Sequence, residues 1–310
     1  MGVVMADTGN QAGEAHRYLL ARSSLGDYLD FVESYSLNTE DANRKIHADA
    51  WKAADLHMRK LREIEQNRAD VELRSDLPPS LLPLVGRVEA DTHFRRAFDE
   101  TTWEIAMVDL DGVVASQKLV SAEHVARLQR KLSPLLGDED LFRFCLPFER
   151  QPPVFRASRI DSGEYAFVSE SNDLRFQEAV LLRPDQIVGY DSVGPIAGVL
   201  ALVVGFGSNY LNVIRANGRY VLGNGHHRAC ALIQSGYRRV PCVIQTITHP
   251  AEFEVHMPKA IQRNGDFYLS DPRPPVVADY FDPKLSRELM VGMTAKEVRL
   301  GYQVDEKDVP

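Results

Sequence analysis

Cysteine is scarce in this chain, with three residues in 310: Cys145, Cys230 and Cys242. The count is odd and no Cys-x-x-Cys spacing occurs, which argues against a disulfide scaffold and against a zinc site. Cys230 and Cys242 fall on apolar positions, where a buried, reduced thiol is expected. Long apolar runs are also missing. No stretch of about 18 uncharged apolar residues is present, so no membrane span is expected. The amino end lacks the basic-then-apolar order of a secretory leader. Ala6 stands where a myristoylation signal wants Ser or Thr. The expectation is a cytoplasmic protein. Basic charge is in deficit, at 36 Lys and Arg against 44 Asp and Glu, net −8. Chains that bind nucleic acid present a basic face, so nucleic acid is not an expected partner.

Apolar residues make up 44% of the chain, enough for a substantial core, and the length has room for about two domains. The pattern predicts an α+β protein in four parts. Residues 1–100 form a helical region after a disordered start at 1–12, with apolar spacing from Glu14 to Leu73 and a helix start at Asn38-Thr39-Glu40-Asp41. Residues 101–175 form a mixed segment. It holds a strand at Trp103–Val108, a helix from Ser121 capped by that serine, and a β-hairpin around Asp161-Ser162-Gly163. Residues 176–248 form a small α/β unit. Residues 249–310 are a C-terminal extension containing a proline spacer, Asp271-Pro272-Arg273-Pro274-Pro275.

The stretch Leu211–Gln245 carries most of the chemistry. Two short β runs flank Asn217-Gly218, a hairpin turn signal. Gly223-Asn224-Gly225 breaks the second run. A helix follows from His226, with Ala229, Cys230, Leu232 and Ile233 as its buried stripe and Gly236 as its stop. The first N–H groups of a helix lack internal partners and carry partial positive charge. A glycine turn lets an anion approach them, and His226, His227 and Arg228 add side-chain donors. That combination suits a phosphate group. The plain alternative is a helix start with inward-packed histidines.

Asn224-Gly225-His226-His227-Arg228, followed by Ala231, Leu232, Gly236, Val240 and Pro241, resembles the phosphate box of the ParB/sulfiredoxin superfamily. Leu181–Ile187 is similar to the first strand and proline loop of that fold, and Pro195–Val204 to its first helix. The resemblance covers residues 181–246. It implies that Gly225, His227 and Arg228 hold nucleotide phosphates. His226 stands where sulfiredoxin carries its catalytic cysteine, so sulfiredoxin chemistry is not expected. The box is closest to that of the free-serine kinases, with Asn224 in place of an aspartate. The resemblance therefore implies ATP or ADP, with CTP as the alternative nucleotide, and Mg²⁺ with Asn224 as a neutral ligand. A phosphotransferase needs a group to serve the acceptor hydroxyl, and His226 and Asp185 are the candidates. Gly207 and Ser208, in the turn Gly205-Phe206-Gly207-Ser208-Asn209, could close over the nucleotide. The alternative is a nucleotide switch controlling dimerisation or docking, with a homodimer as its partner state.

A competing string, Asp109-Leu110-Asp111-Gly112-Val113-Val114, resembles the first motif of haloacid-dehalogenase-type phosphatases, with Asp109 as nucleophile. Too little α/β alternation precedes Asp185 to build that domain.

Overall fold

The computed structural model describes residues 13–20, 23–37, 43–132, 137–148, 152–171, 173–292 and 296–304. The expected disorder at 1–12 and helix start at 38–41 lie outside these residues. In chain order the elements are β1 (Gly13–Leu19), α1 (Leu25–Tyr35), α2 (Arg44–Ile64), β2 (Arg74–Ser75), α3 (Leu82–Ala90), α4 (Thr92–Phe98), β3 (Thr102–Asp109), β4 (Leu119–Ser121), α5 (Ala122–Gln129) and α6 (Asp138–Cys145). Then come β5 (Arg156–Asp161), β6 (Glu164–Ser169), β7 (Leu174–Leu182), β8 (Val199–Phe206), β9 (Asn212–Ala216), β10 (Arg219–Asn224), α7 (His226–Gln234) and β11 (Arg239–Thr246). The last are α8 (Pro250–His256), α9 (Lys259–Arg263), α10 (Gly265–Leu269), β12 (Ser286–Gly292) and β13 (Lys296–Gly301). The class is α+β. Among the described residues no helix is long and apolar enough to cross a membrane.

The chain divides into two compact units, residues 1–149 with 209–293 and residues 150–208 with 294–310. This differs from the boundaries expected from the sequence. Residues 176–208 belong to the second unit, so the expected α/β unit at 176–248 is cut at 208/209.

The first unit is built on a five-stranded sheet in the order β10-β9-β11-β3-β2. β9 and β10 form the hairpin read from Asn217-Gly218, whose φ angles of 50° and 77° suit a tight two-residue turn. The chain then crosses through α7 and returns as β11, parallel to β9. β11 also pairs antiparallel with β3, Val243 opposite Ile105. It is buried from Val240 to Gln245, as a strand flanked on both edges and both faces must be. The main core gathers β3, β9, β10, β11, α3, α4, α6 and the apolar stripe of α7. All three cysteines are buried there as free thiols, and burial raises the thiol pKa of Cys145 and Cys230 to about 12.

Residues 14–73 were expected to be helical throughout. They begin instead with β1, the central strand of a second sheet in the order β12-β1-β4. His16 lies opposite Leu289 on one side and Ser121 on the other. Partners so distant in sequence leave no local periodic signal. The proline segment at 271–275 is not an exposed spacer. Arg273 is 1% exposed. Its guanidinium donates to both carboxylate oxygens of Asp279, at 2.9 and 2.7 Å, and to Glu65 at 2.9 Å.

The second unit holds a three-stranded sheet, β13-β6-β5, and a two-stranded ribbon, β7-β8. The β5–β6 hairpin turns at Gly163, φ +86°, as the sequence suggested. The helix expected at 195–204 is absent, and β8 occupies residues 199–206. A continuous apolar run does not distinguish helix from strand by period. The β-branched Val199, Val203 and Val204, bounded by Gly198 and Gly207, favour the extended form.

Candidate functional site

The box lies where β10 gives way to α7. Gly225 precedes the helix at φ +93°, and no side chain caps α7. A Cβ at position 225 would sit 2.7 Å from Leu211 Cδ1, so the position demands glycine on both conformational and steric grounds. Asn224 Oδ1 accepts the Gly225 N–H at 2.8 Å. Residues 223–225 are half-buried, which leaves the turn open to solvent. A Gly225→Ala protein is expected to lose about 2 kcal/mol of stability. Denaturant titration would read this as a lower midpoint at constant slope, and an unchanged midpoint would refute the strain argument.

The three basic residues of the box go to different places. His226 is 3% exposed. Its Nε2 lies 2.9 Å from Ser116 Oγ, and the Ser116 hydroxyl donates its only proton to the Leu222 carbonyl at 2.7 Å. Nε2 must therefore carry the imidazole proton and donate it to Ser116. Ser116 is brought there because Val114 bridges β10, donating to the Tyr220 carbonyl and accepting from the Leu222 N–H. Burial in this arrangement gives His226 a structural task and removes it from the face a soluble substrate reaches.

His227 is half-buried and points toward α5 and β1. Its Nε2 accepts the Ser121 N–H at 3.0 Å, so Nδ1 holds the proton of the neutral ring. The ring meets His124 edge-on at 4.9 Å. Burial, then the neighbouring His124, His16 and Arg127, lower its pKa from 6.5 to about 4. At neutral pH it offers a donor rather than a charge.

Arg228 is 8% exposed. Its Nη1 donates to the carbonyls of Cys145 and Asn209, both at 2.9 Å, and its Nη2 to Asn209 Oδ1 at 2.5 Å. The guanidinium lies over the Phe144 ring, 5.8 Å from its centre. Cys145 and Asn209 lie near the two points where the chain leaves and re-enters the first unit. The arginine expected to hold phosphate is thus committed to tying those two segments together.

A group that the sequence did not single out as a site completes the picture. Ser121, the N-cap of α5, donates its hydroxyl to Glu14 Oε1 at 2.6 Å and accepts the His124 N–H at 2.9 Å. Arg127 and His16 stand 3.8 and 3.9 Å from the same carboxylate. The His227 side chain therefore reaches a cluster made of the Glu14 carboxylate and His16 imidazole of β1, the Ser121 hydroxyl of β4, and the His124 imidazole and Arg127 guanidinium of α5. The Ser121 cap was legible as a helix start. Glu14 was hidden because it reaches the box only through the pairing of β1 with β4.

Asp185, Gly207 and Ser208 belong to the second unit, and α7 belongs to the first. Asp185 is exposed and paired with Arg183 at 3.1 Å. The Gly207 N–H donates to the Asp173 carbonyl at 3.1 Å. The phosphatase-like string is absorbed into a turn, with Asp109 accepting the Asp111 N–H at 3.1 Å and Asp111 held by Arg238 at 2.6 Å. Among the described residues no group of three or more His, Cys, Asp or Glu side chains is placed to hold a metal ion. Two open clefts of about 220 and 370 Å³ lie in the first unit, and neither is lined by residues 224–228.

No protein-family model matches the chain, and neither a curated protein nor a solved structure matches it.

Proposed function

We propose that the chain binds the phosphates of a nucleotide at the amino end of α7 and passes phosphate to a small hydroxylated acceptor such as serine. The carrying observation is the glycine-opened helix start with no side-chain cap, which presents backbone N–H groups and the positive end of the helix dipole. His227 Nδ1–H and the half-exposed Arg127 supply further donors beside it. Glu14 is the carboxylate on hand to receive an acceptor's proton, a role the sequence gave to Asp185. The hairpin, helix and parallel return strand support the ParB/sulfiredoxin resemblance, now with β3 and β2 as the further strands of the sheet. Asn224 offers one amide oxygen that already accepts an N–H. This donor set favours Mg²⁺ carried in by the phosphates over an ion held by protein alone.

Calorimetric titration with ATP, ADP and CTP tests the binding step. Arg127→Ala and His227→Gln are each expected to weaken binding about tenfold, which corresponds to about 1.4 kcal/mol. Absence of binding at millimolar nucleotide, or variants that bind as the parent does, would overturn the reading. A panel of hydroxylated amino acids with Mg²⁺ and bound nucleotide then tests transfer.

A second reading rests on the Arg228 clamp. A phosphate that drew Arg228 away from Asn209 and Cys145 would loosen the two segments that bound the second unit. The nucleotide would then act as a switch for partner docking or dimerisation. Binding without phosphate transfer, together with faster amide exchange at Leu211, favours this reading, because the Leu211 N–H shares the Cys145 carbonyl with Arg228.

A further inference from the structure

The β7–β8 ribbon has an apolar face that is covered at its Leu174–Phe206 end, where Phe155 meets Phe206, and that carries no layer from the described residues over the rest of its length. Cross-strand partners put Leu181 beside Leu200, Ala179 beside Leu202 and Phe176 beside Val204. An irregularity between Phe176 and Glu178 keeps Phe176 on the same face as Ala179 and Leu181. Leu181 is 77% exposed and Leu200 63%, and Phe176 and Leu202 are exposed as well. No charged side chain stands among these six. The residues on the other face, including Leu182, Val180, Val199 and Val203, are half-buried. An isolated two-stranded ribbon is marginal in water, and an apolar sheet face needs a second layer.

We propose that this face packs against the same face of a second copy of the chain, ribbon on ribbon. Two features single out a copy of itself. The first is charge. Each end of the ribbon carries an internally neutralised pair, Arg183 with Asp185 at one end and Arg175 with Asp173 at the other. A two-fold antiparallel copy therefore meets neither like-charge excess nor an unanswered charge, whereas nucleic acid or a charged peptide would find no counter-charge on the face. The second is area. Stable interfaces bury about 800 Å² per partner, and the four exposed large side chains supply on the order of half of that. This suits a weak, concentration-dependent dimer. The proposal is independent of the nucleotide reading and is tested without nucleotide.

Sedimentation equilibrium of the full chain from about 1 to about 200 μM is expected to show monomer passing to dimer in the micromolar range. Leu200→Glu and Leu181→Glu should each raise the dissociation constant at least about tenfold, by burying an unpaired charge. Val154→Glu, at an exposed apolar position outside the ribbon, should leave it unchanged. Leu202→Cys, at the centre of the face, should form a disulfide-linked dimer under mild oxidation, because the native cysteines are all buried. A chain that stays monomeric over the whole range overturns the proposal, as does a dimer that ignores both glutamates. A monomeric Leu202→Cys protein whose new thiol resists alkylation in the folded state also overturns it, since another part of the chain would then be the covering layer.

Discussion

An Arg228→Ala protein is expected to lose about 3 kcal/mol of folding stability. The side chain is almost wholly buried, and its two terminal nitrogens satisfy the Asn209 carbonyl, the Asn209 side-chain oxygen and the Cys145 carbonyl. Removing the guanidinium leaves the Asn209 acceptors short of donors in a dry site and opens space beside Phe144. Cys145 is affected less, because its carbonyl keeps the Leu211 N–H at 2.9 Å. Arg228→Lys should recover less than half of the loss, since one ammonium cannot span the forked arrangement. The Leu211 amide should exchange faster in both proteins. Equilibrium denaturation with native-state hydrogen exchange reads both effects. A loss below about 1 kcal/mol with Leu211 protected as before would refute the clamp. If nucleotide binding vanished while stability held, Arg228 would return to the phosphate role that the sequence gave it.

Acid should destabilise the protein well before the carboxylates titrate. The His227 pKa is about 4 in the folded protein against 6.5 ordinarily, because burial disfavours its charged form and His124, His16 and Arg127 add repulsion. The His124 pKa is lowered for the same first reason, with Arg127 as the next cause. Between these limits the unfolded chain binds more protons than the folded one, so stability falls as pH falls. The loss begins near pH 6.5 and levels off below about 4. For His227 it amounts to at most about 3 kcal/mol, reduced by solvent screening of a half-buried ring. His227→Gln should flatten this part of the stability–pH profile. Carboxylates add a separate loss at lower pH. Glu72, for example, is held below its ordinary value of 4.5 by the Tyr220 hydroxyl. A flat parent profile between pH 6.5 and 4, or a variant profile identical to the parent, would remove His227 as the cause.

Much of the neighbourhood of the box was legible in the sequence. The Asn217-Gly218 hairpin, the glycine turn, α7 with its Gly236 stop, β11, β3, the Ser121 cap and the buried thiols all follow from short-range signals. Such signals depend on φ preference, capping and apolar period, which act within a few residues. What failed was of another kind. The β1 segment reads as helix in the sequence because its strand partners lie far off, near Ser121 and Leu289. The 195–204 run reads equally as helix because apolarity alone sets no period. The domain limits were also misplaced, because the chain leaves the first unit at 149 and re-enters it at 209, so residues 176–208 fall in the second unit.

The sequence by itself determined that a glycine turn opens a helix beside two imidazoles and a guanidinium, because those groups are covalent neighbours and Gly225 alone accepts φ +93° without strain. Tertiary structure decided where each group points and in what state of charge. Arg228 meets a carbonyl 83 residues away, His226 a hydroxyl 110 residues away, and His227 an amide 106 residues away. Those partners arrive only when β3, β4 and α6 pack around α7, and the same packing removes the water that would have kept His227 basic.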